Sequence, residues 1–309
     1  MRVFLVSRYN KKKRGCYMSI HFLAFDLDGT LLTDDKTIDS RTKESIQKAI
    51  NQGMHIIIAS GRDKSGCQFV YEPLGLENGN HFLALVNGQI IYDFKNKEYD
   101  LDHVLTPEDG LKIQKVCKEF DVEGIFQCGY DFYSYVSKAN RFKKKIRNWM
   151  YGEQMDYGLK NGENRNFIDL PFEEIRITKD INKVIMIHTK KFFEKNLEKL
   201  KAALQDYDVL LIGSNWLEVM PKGVNKASAI QKIAKSLGYS MNEVMAFGDA
   251  QNDIEMIQQA GIGVAMKNGM KEVKEVATLI TDTNNNNGIG KVIDALLEGK
   301  EIDLRAGRM

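Results

Sequence analysis

"HFLAFDLDGTLL", residues 21–32, is an apolar run that stops at two aspartates, Asp26 and Asp28, set two positions apart. Residues 20–25 read as a buried strand. Side chains alternate along a strand, so both carboxylates leave on the same side, at the carboxyl edge of a sheet where α/β proteins bind ligands. Two like charges about 4 Å apart repel by roughly 1 kcal/mol in water and by several times that in a drier site. The pair therefore asks for a cation, or for a reaction that uses both groups.

The chain on either side supplies the rest of a sheet. "DSRTKESIQKAINQG" (39–53) reads as a helix, with Asp39 or Ser40 as cap, Ile46, Ala49 and Ile50 as its apolar stripe and Gly53 as its stop. "MHIIIAS" (54–60) is a second strand. Strand, helix and strand joined by short connections imply parallel pairing. The same grammar returns late in the chain. A helix over 226–237 precedes the strand "EVMAFGD" (243–249), the helix "NDIEMIQQAG" (252–261) and the strand "IGVAM" (262–266), with a helix over 270–277 and the strand "TLIT" (278–281) following. The two ends read as halves of one doubly wound α/β domain.

The middle breaks that rhythm. Hairpin-like pieces, "IFQCGYDFYSYV" (125–136), "KVIMIHT" (183–189) and "VLLIGSNWLEVM" (209–220), alternate with lysine-rich helical pieces such as "NRFKKKIRNWM" (140–150). Phe142, Ile146 and Met150 recur at helical spacing, so the intervening lysines form a solvated face. The expected domains are a core over 18–88 and 219–309, with an α+β insertion over 89–218. Residues 1–17 carry a short apolar stretch with a basic run after it, the reverse of a secretory signal, and are expected to be a disordered extension ahead of Met18.

Bulk composition narrows the function. A 309-residue chain that is 43% hydrophobic and 28% charged is globular. Its 44 basic residues against 42 acidic ones leave a net charge of +2, with no general attraction for nucleic acid or membranes. Any anionic ligand must be met locally. Four scattered cysteines without a CxxC pair argue against structural zinc and a disulfide framework, and fit a reducing cytoplasm. Apolar runs such as "HIIIA" (55–59) fall far short of the ~18 residues of a membrane span.

Three further polar clusters can reach the edge that carries Asp26 and Asp28: Ser60, Gly61 and Arg62; Lys226; and Asp249, Asn252 and Asp253. Lys226 opens a helix, where a cation opposes the helix dipole by up to about 1 kcal/mol, so an anionic partner is expected beside it. Asp26, Asp249 and the backbone near Asp28 make an oxygen-rich site of the kind Mg²⁺ favours.

Taken in order, "DLDGTLL", "ASGR", the lysine of "PKGVNKA" and "GDAQND" resemble the four motifs of the haloacid dehalogenase superfamily. Within it they resemble the Cof-type phosphatases of subclass IIB, which insert a type C2 cap between the second and third motifs. The resemblance covers nearly everything after Met18, and it implies a Rossmann-like core and a Mg²⁺-dependent phosphatase. By that resemblance Asp26 is the nucleophile, Asp28 the general acid and base, and Lys226 a catalytic cation. Leu27, Ser60, the backbone of Gly61, Lys226 and Asn252 hold phosphate. Asp26, the Asp28 carbonyl and Asp249 bind the metal, while Asp253 supports Lys226 or the metal's water. Ser60 stands where the family commonly has Thr, and Ala227 where it commonly has Gly.

The expected substrate is a small phosphorylated metabolite, with sugar phosphates leading and phosphorylated cofactors behind, handled by a cytoplasmic monomer or homodimer with no nucleic-acid or membrane partner. Two other readings stay open. A phosphomutase would use the same aspartates, and a regulatory protein would bind the phosphometabolite without turnover. Hydrolytic dehalogenation has no need of Asp28.

Overall fold

The computed structural model describes residues 19–101, 104–129, 131–137, 140–142, 166–171, 177–212 and 214–299. The expected extension over 1–17 and most of the helix expected over 140–150 lie outside the described residues. The chain divides into two compact units, 1–102 with 225–309, and 103–224.

Strands are numbered along the chain. The first unit begins with β1 (Phe22–Phe25), β2 (His55–Ala59), β3 (Phe82–Leu85), β4 (Ile90–Asp93) and β5 (Glu98–Leu101). The second unit holds β6 (Glu123–Cys128), β7 (Asp131–Val136), β8 (Asn166–Pro171), β9 (Lys183–Ile187), β10 (Tyr207–Ile212) and β11 (Trp216–Pro221). The chain then returns to the first unit with β12 (Val244–Gly248), β13 (Ile262–Ala265) and β14 (Leu279–Ile280).

In the first unit the sheet order is β14-β13-β12-β1-β2-β3-β4-β5. β1 is central because FLAF is apolar at every position and all four residues are buried, as a strand covered on both faces requires. It pairs in parallel with β12 and β2, placing Phe25 beside Phe247 and Ile58. That register brings Asp26, Ser60 and Asp249, each just beyond a strand, to one edge.

Alternation sorts the strand residues into two cores. Leu23, Phe25, Ile56 and Ile58 pack with Ile46 and Ala49 of the helix Ser40–Asn51 and with Ile289 and Ile293 of the helix Gly288–Leu297. Phe22, Ala24, Ile57 and Ala59 pack on the opposite face with Ile230, Ile233 and Ala234 of the helix Lys226–Ser236. Helices on both faces of a mainly parallel sheet make the core doubly wound. The expected cap on the first helix is Asp39, whose carboxylate accepts N–H bonds from Arg41 and Thr42.

The second unit is α+β. Its sheet runs β10-β11-β9-β6-β7-β8, antiparallel except for the β7–β8 pair. Phe126, Val184, Met186, Leu217 and Val219 share a core with Ile113 and Cys117 of the helix Pro107–Phe120 and with Phe193 and Leu200 of the helix Lys190–Ala203.

The division between units falls later than the expected boundaries at 89 and 218. β4 and β5 extend the first unit's sheet as antiparallel strands, β4 turning straight back on β3. A hairpin that finishes a parallel sheet has the same sequence pattern as the hairpins of the insertion, so periodicity does not separate them. Among the described residues no helix is long and apolar enough to cross a membrane.

One buried group gives this core a pH dependence. His81 is 5% exposed, and its Nδ1 accepts the N–H of Ile56 at 3.0 Å. Burial, helped by nearby His55, pushes its pKa down from 6.5 to about 4. Between those values the unfolded chain binds a proton that the folded chain does not, so stability is complete above the unfolded value and falls with pH through this window. The expected loss from pH 7 to pH 4 is of order 2 kcal/mol once partial solvent screening is allowed for. Asp26 and Asp249 act in the opposite sense in both proteins, so His81→Gln should raise stability at pH 4 relative to pH 7 by that amount over wild type, read by urea unfolding. Identical pH slopes for the two proteins would contradict the assignment.

Candidate active site

The edge beyond β1, β2 and β12 is organised around a buried cation. Lys226 is fully buried, and its Nζ donates to Asp26 Oδ1 at 2.6 Å and to Asp253 Oδ1 at 2.7 Å. The sequence delivers it there through Asn225, whose side chain caps the helix Lys226–Ser236 by accepting the N–H of Ser228. Burial alone would lower the pKa of this lysine. Asp253 and Asp26 outweigh burial and hold it above the ordinary value. Ala227 is 1% exposed and its methyl lies in the apolar cluster with Ile230 and Ala246.

Asp253 is held from two sides. Its Oδ2 accepts the backbone N–H groups of Asp249 and Ala250 at 2.9 and 3.0 Å, while its Oδ1 receives Lys226. A Cβ on Gly248 would fall 2.5 Å from the Cβ of Asp253, so only glycine lets the loop fold this closely. Asp253 thus anchors the lysine and the loop that presents Asp249.

Asp249 Oδ1 accepts the hydroxyl of Thr30 at 2.7 Å. Its Oδ2 lies over Gly29, which has φ +81° and where a Cβ would be 2.5 Å from that oxygen. Gly29 therefore meets two requirements at once, a left-handed turn and close approach of a carboxylate.

Oxygens of Asp26, Asp249 and Asp253 lie within 4.8 Å of one another. Burial and the charge of Asp253 push Asp26 up to about 7 against the pull of Lys226. Burial and Asp253 likewise push Asp249 up to about 6, partly offset by the Thr30 hydroxyl. One lysine among three carboxylates leaves negative charge in excess, and an all-oxygen set of this kind suits a hard divalent cation. Distance alone makes Asp253 the third member of the cluster, but its oxygens already hold Lys226 and two amides. The Oδ2 atoms of Asp26 and Asp249, which have no hydrogen bond among the described residues, are the better donors.

Asp28 stands apart. Its side chain is 46% exposed, with Lys36 Nζ at 2.7 Å from Oδ1 and the Arg62 guanidinium bonded to both oxygens at 2.9–3.1 Å. Burial would raise its pKa, but Lys36 and Arg62 hold it below the ordinary carboxylate value. The side chain is thus outside the cluster of the other three acids, and only the Asp28 backbone remains for the metal role expected of it.

The remaining expected residues fall into two groups. Leu27 is fully buried in the core, so only its backbone can serve a ligand. Ser60 is 2% exposed, donates its N–H to Ala84 and accepts the N–H of Arg62 at Oγ. Asn252 Nδ2 donates to Asn87 Oδ1 at 3.1 Å. Asn87 and Thr30 are site residues that the sequence reading missed. Thr30 lies within the quoted "DGT" and could have been found as a hydroxyl two residues from Asp28. Nothing local marks Asn87. Cys67, Cys117 and Cys128 are free and buried, and burial raises each thiol's pKa, so they are poor nucleophiles.

A family model described as haloacid dehalogenase-like hydrolase matches residues 23–293. The chain is 30% identical over 282 residues to the 5-amino-6-(5-phospho-D-ribitylamino)uracil phosphatase YcsE of Bacillus subtilis, covering 89% of this chain and 95% of that protein. It resembles the crystal structure of a haloacid dehalogenase-like hydrolase from Bacteroides thetaiotaomicron with a TM-score of 0.70 and 25% identity, over 90% of this chain and 99% of that one. The structure of a subclass IIB sugar phosphatase matches with the same TM-score and identity, over 88% and 97%.

Proposed function

The chain belongs to the haloacid dehalogenase-like hydrolases, and from that footing we propose that it is a Mg²⁺-dependent phosphatase of small phosphorylated metabolites, with sugar phosphates as the leading class. The observation that carries the reading is the buried triad of Asp26, Lys226 and Asp253. A nucleophilic carboxylate is held against a fully buried lysine, with Asp249 close by and two positive charges too few for the three carboxylates. A pure binding protein has no use for that arrangement, since phosphate recognition calls for donors rather than an acid cluster.

In the proposed reaction a carboxylate oxygen of Asp26 attacks phosphorus and the bond to the ester oxygen breaks, forming a phosphoaspartyl group. The departing oxygen takes a proton from Asp28. In the second half Asp28 removes a proton from water as that water attacks phosphorus, and the bond to Asp26 breaks to release inorganic phosphate. Lys226 holds Asp26 in place and, with Ser60, the Gly61 and Leu27 backbone and Asn252, meets charge on the phosphoryl oxygens. Asp28 has to leave Lys36 and Arg62 to do this work. Asp26 and Asp249, with the Asp28 carbonyl, are the residues that would hold Mg²⁺. When bound, Mg²⁺ supplies the missing positive charge beside the transferring phosphoryl group.

The Bacillus relative is named for 5-amino-6-(5-phospho-D-ribitylamino)uracil, whose phosphate sits on a ribitylamino group, which supports a small phosphorylated metabolite as the substrate class. A cytoplasmic site of action is part of the same proposal. The test is phosphate release from a panel of sugar phosphates, nucleotides and phosphorylated cofactors, with Mg²⁺ and with a chelator. Release that requires the metal and favours sugar phosphates is expected. Phosphoryl return to the substrate without free phosphate would make the protein a mutase, and tight retention without turnover would make it a binding protein.

A further inference from the structure

The loop that follows β3 is built at a conformational cost. Val86, Asn87 and Gly88 have φ +50°, +55° and +97° in succession. A β-branched residue in this region is a genuine outlier, and such strain persists only where surrounding structure over-determines it. Here the surroundings are the proposed phosphate pocket. Val86 donates its N–H to the Arg62 carbonyl at 3.0 Å and Asn87 donates its N–H to the Ser60 carbonyl at 2.9 Å. Gly88 packs so tightly on the helix that begins at Lys226 that a Cβ there would be 2.1 Å from the Asn225 carbonyl oxygen.

The Asn87 side chain extends this linkage to the last motif. Its Oδ1 accepts Asn252 Nδ2 at 3.1 Å and lies 3.3 Å from where a Cβ on Gly61 would be. The residue is 6% exposed. Asparagine follows glycine in readiness to adopt φ +55°, so the backbone alone accounts for the residue type, and it is the bond to Asn252 that gives the side chain a role.

We propose that Asn87 is a positioning residue for the phosphate pocket: it fixes the Asn252 amide so that its second N–H faces the phosphoryl group. One N–H of the Asn252 amide is committed to Asn87, which keeps nitrogen rather than oxygen turned to this side and leaves one donor for an anion. The inference rests on the phosphatase reading and deepens it.

The test is a double-substitution cycle on the full chain with a chromogenic phosphomonoester, reading kcat, KM and the inhibition constant of inorganic phosphate. Asn87→Gly relieves the backbone, so it should fold and melt close to wild type. It should raise KM and the phosphate inhibition constant about fivefold, the scale of one hydrogen bond, with a smaller change in kcat. Asn252→Ala should do at least as much, and adding Asn87→Gly to it should change nothing further. An unaltered phosphate inhibition constant in Asn87→Gly would overturn the proposal. So would an effect that persists in full in the Asn252→Ala background, because Asn87 would then act by another route. No phosphate release from the wild type would overturn the phosphatase reading itself, and the proposal with it, whereas release that survives Asp26→Asn would overturn only the nucleophile role of Asp26.

Discussion

Asp26→Asn is expected to remove phosphate release while leaving a protein that is at least as stable as wild type. The amide cannot attack phosphorus as a carboxylate does, and loss of a nucleophile lowers turnover on the order of 10⁴-fold or more. The stability side follows from the surroundings of Asp26. Its pKa is pushed up to about 7 by burial and by Asp253. A carboxyl whose folded pKa exceeds its unfolded value favours folding at low pH and opposes it increasingly as pH rises from the unfolded pKa to the folded one. Above pH 7 in the presence of a chelator the wild type therefore holds a charge it would rather not have, and asparagine relieves it. Thermal melts at pH 8 with chelator, set beside phosphate release with Mg²⁺, check both halves. Substantial residual turnover would sink the covalent mechanism, and a clear fall in melting temperature would sink the electrostatic account of the site.

The second large effect is expected at Lys226. Lys226→Met should cost about 3–5 kcal/mol, because removing the cation from a buried ion pair leaves its partners uncompensated. Here two partners, Asp26 and Asp253, lose it together. Folded domains are stable by only about 5–15 kcal/mol, so the variant should be near its limit at neutral pH. Adding Asp253→Asn removes one stranded carboxylate and should restore part of the stability. It should restore no turnover, because the cation beside the phosphoryl group is still missing. Chemical denaturation of the single and double variants checks the first point and phosphate release the second. Full stability in Lys226→Met would mean that the ion pairs hold nothing together.

Much of this site is legible in the sequence because its residues follow strands or begin helices. Asp26, Ser60 and Asp249 come directly after apolar runs, and parallel pairing in register takes such positions to one edge. Lys226 was visible as a cation where the helix dipole disfavours one. What stayed hidden depends on contacts between distant segments. Asn87 meets Asn252 across 165 positions, and "VNG" by itself reads as an ordinary turn. The hold of Arg62 and Lys36 on Asp28 is equally invisible: strand alternation sends Asp28 to the side of Asp26, but the strand ends at Phe25 and beyond it spacing does not say which way a carboxylate faces. β4 and β5 were misplaced for a similar reason, because a hairpin's pattern is the same whichever sheet it completes.

The most direct measurement on the central claim is rapid acid quench of the enzyme during turnover of a phosphomonoester with Mg²⁺, followed by mass analysis of the peptide that contains Asp26. The proposed mechanism predicts a fraction of that peptide heavier by one phosphoryl group, labile to base and absent from Asp26→Asn. Turnover at full rate with the peptide never modified, or with the label on another residue, would contradict it.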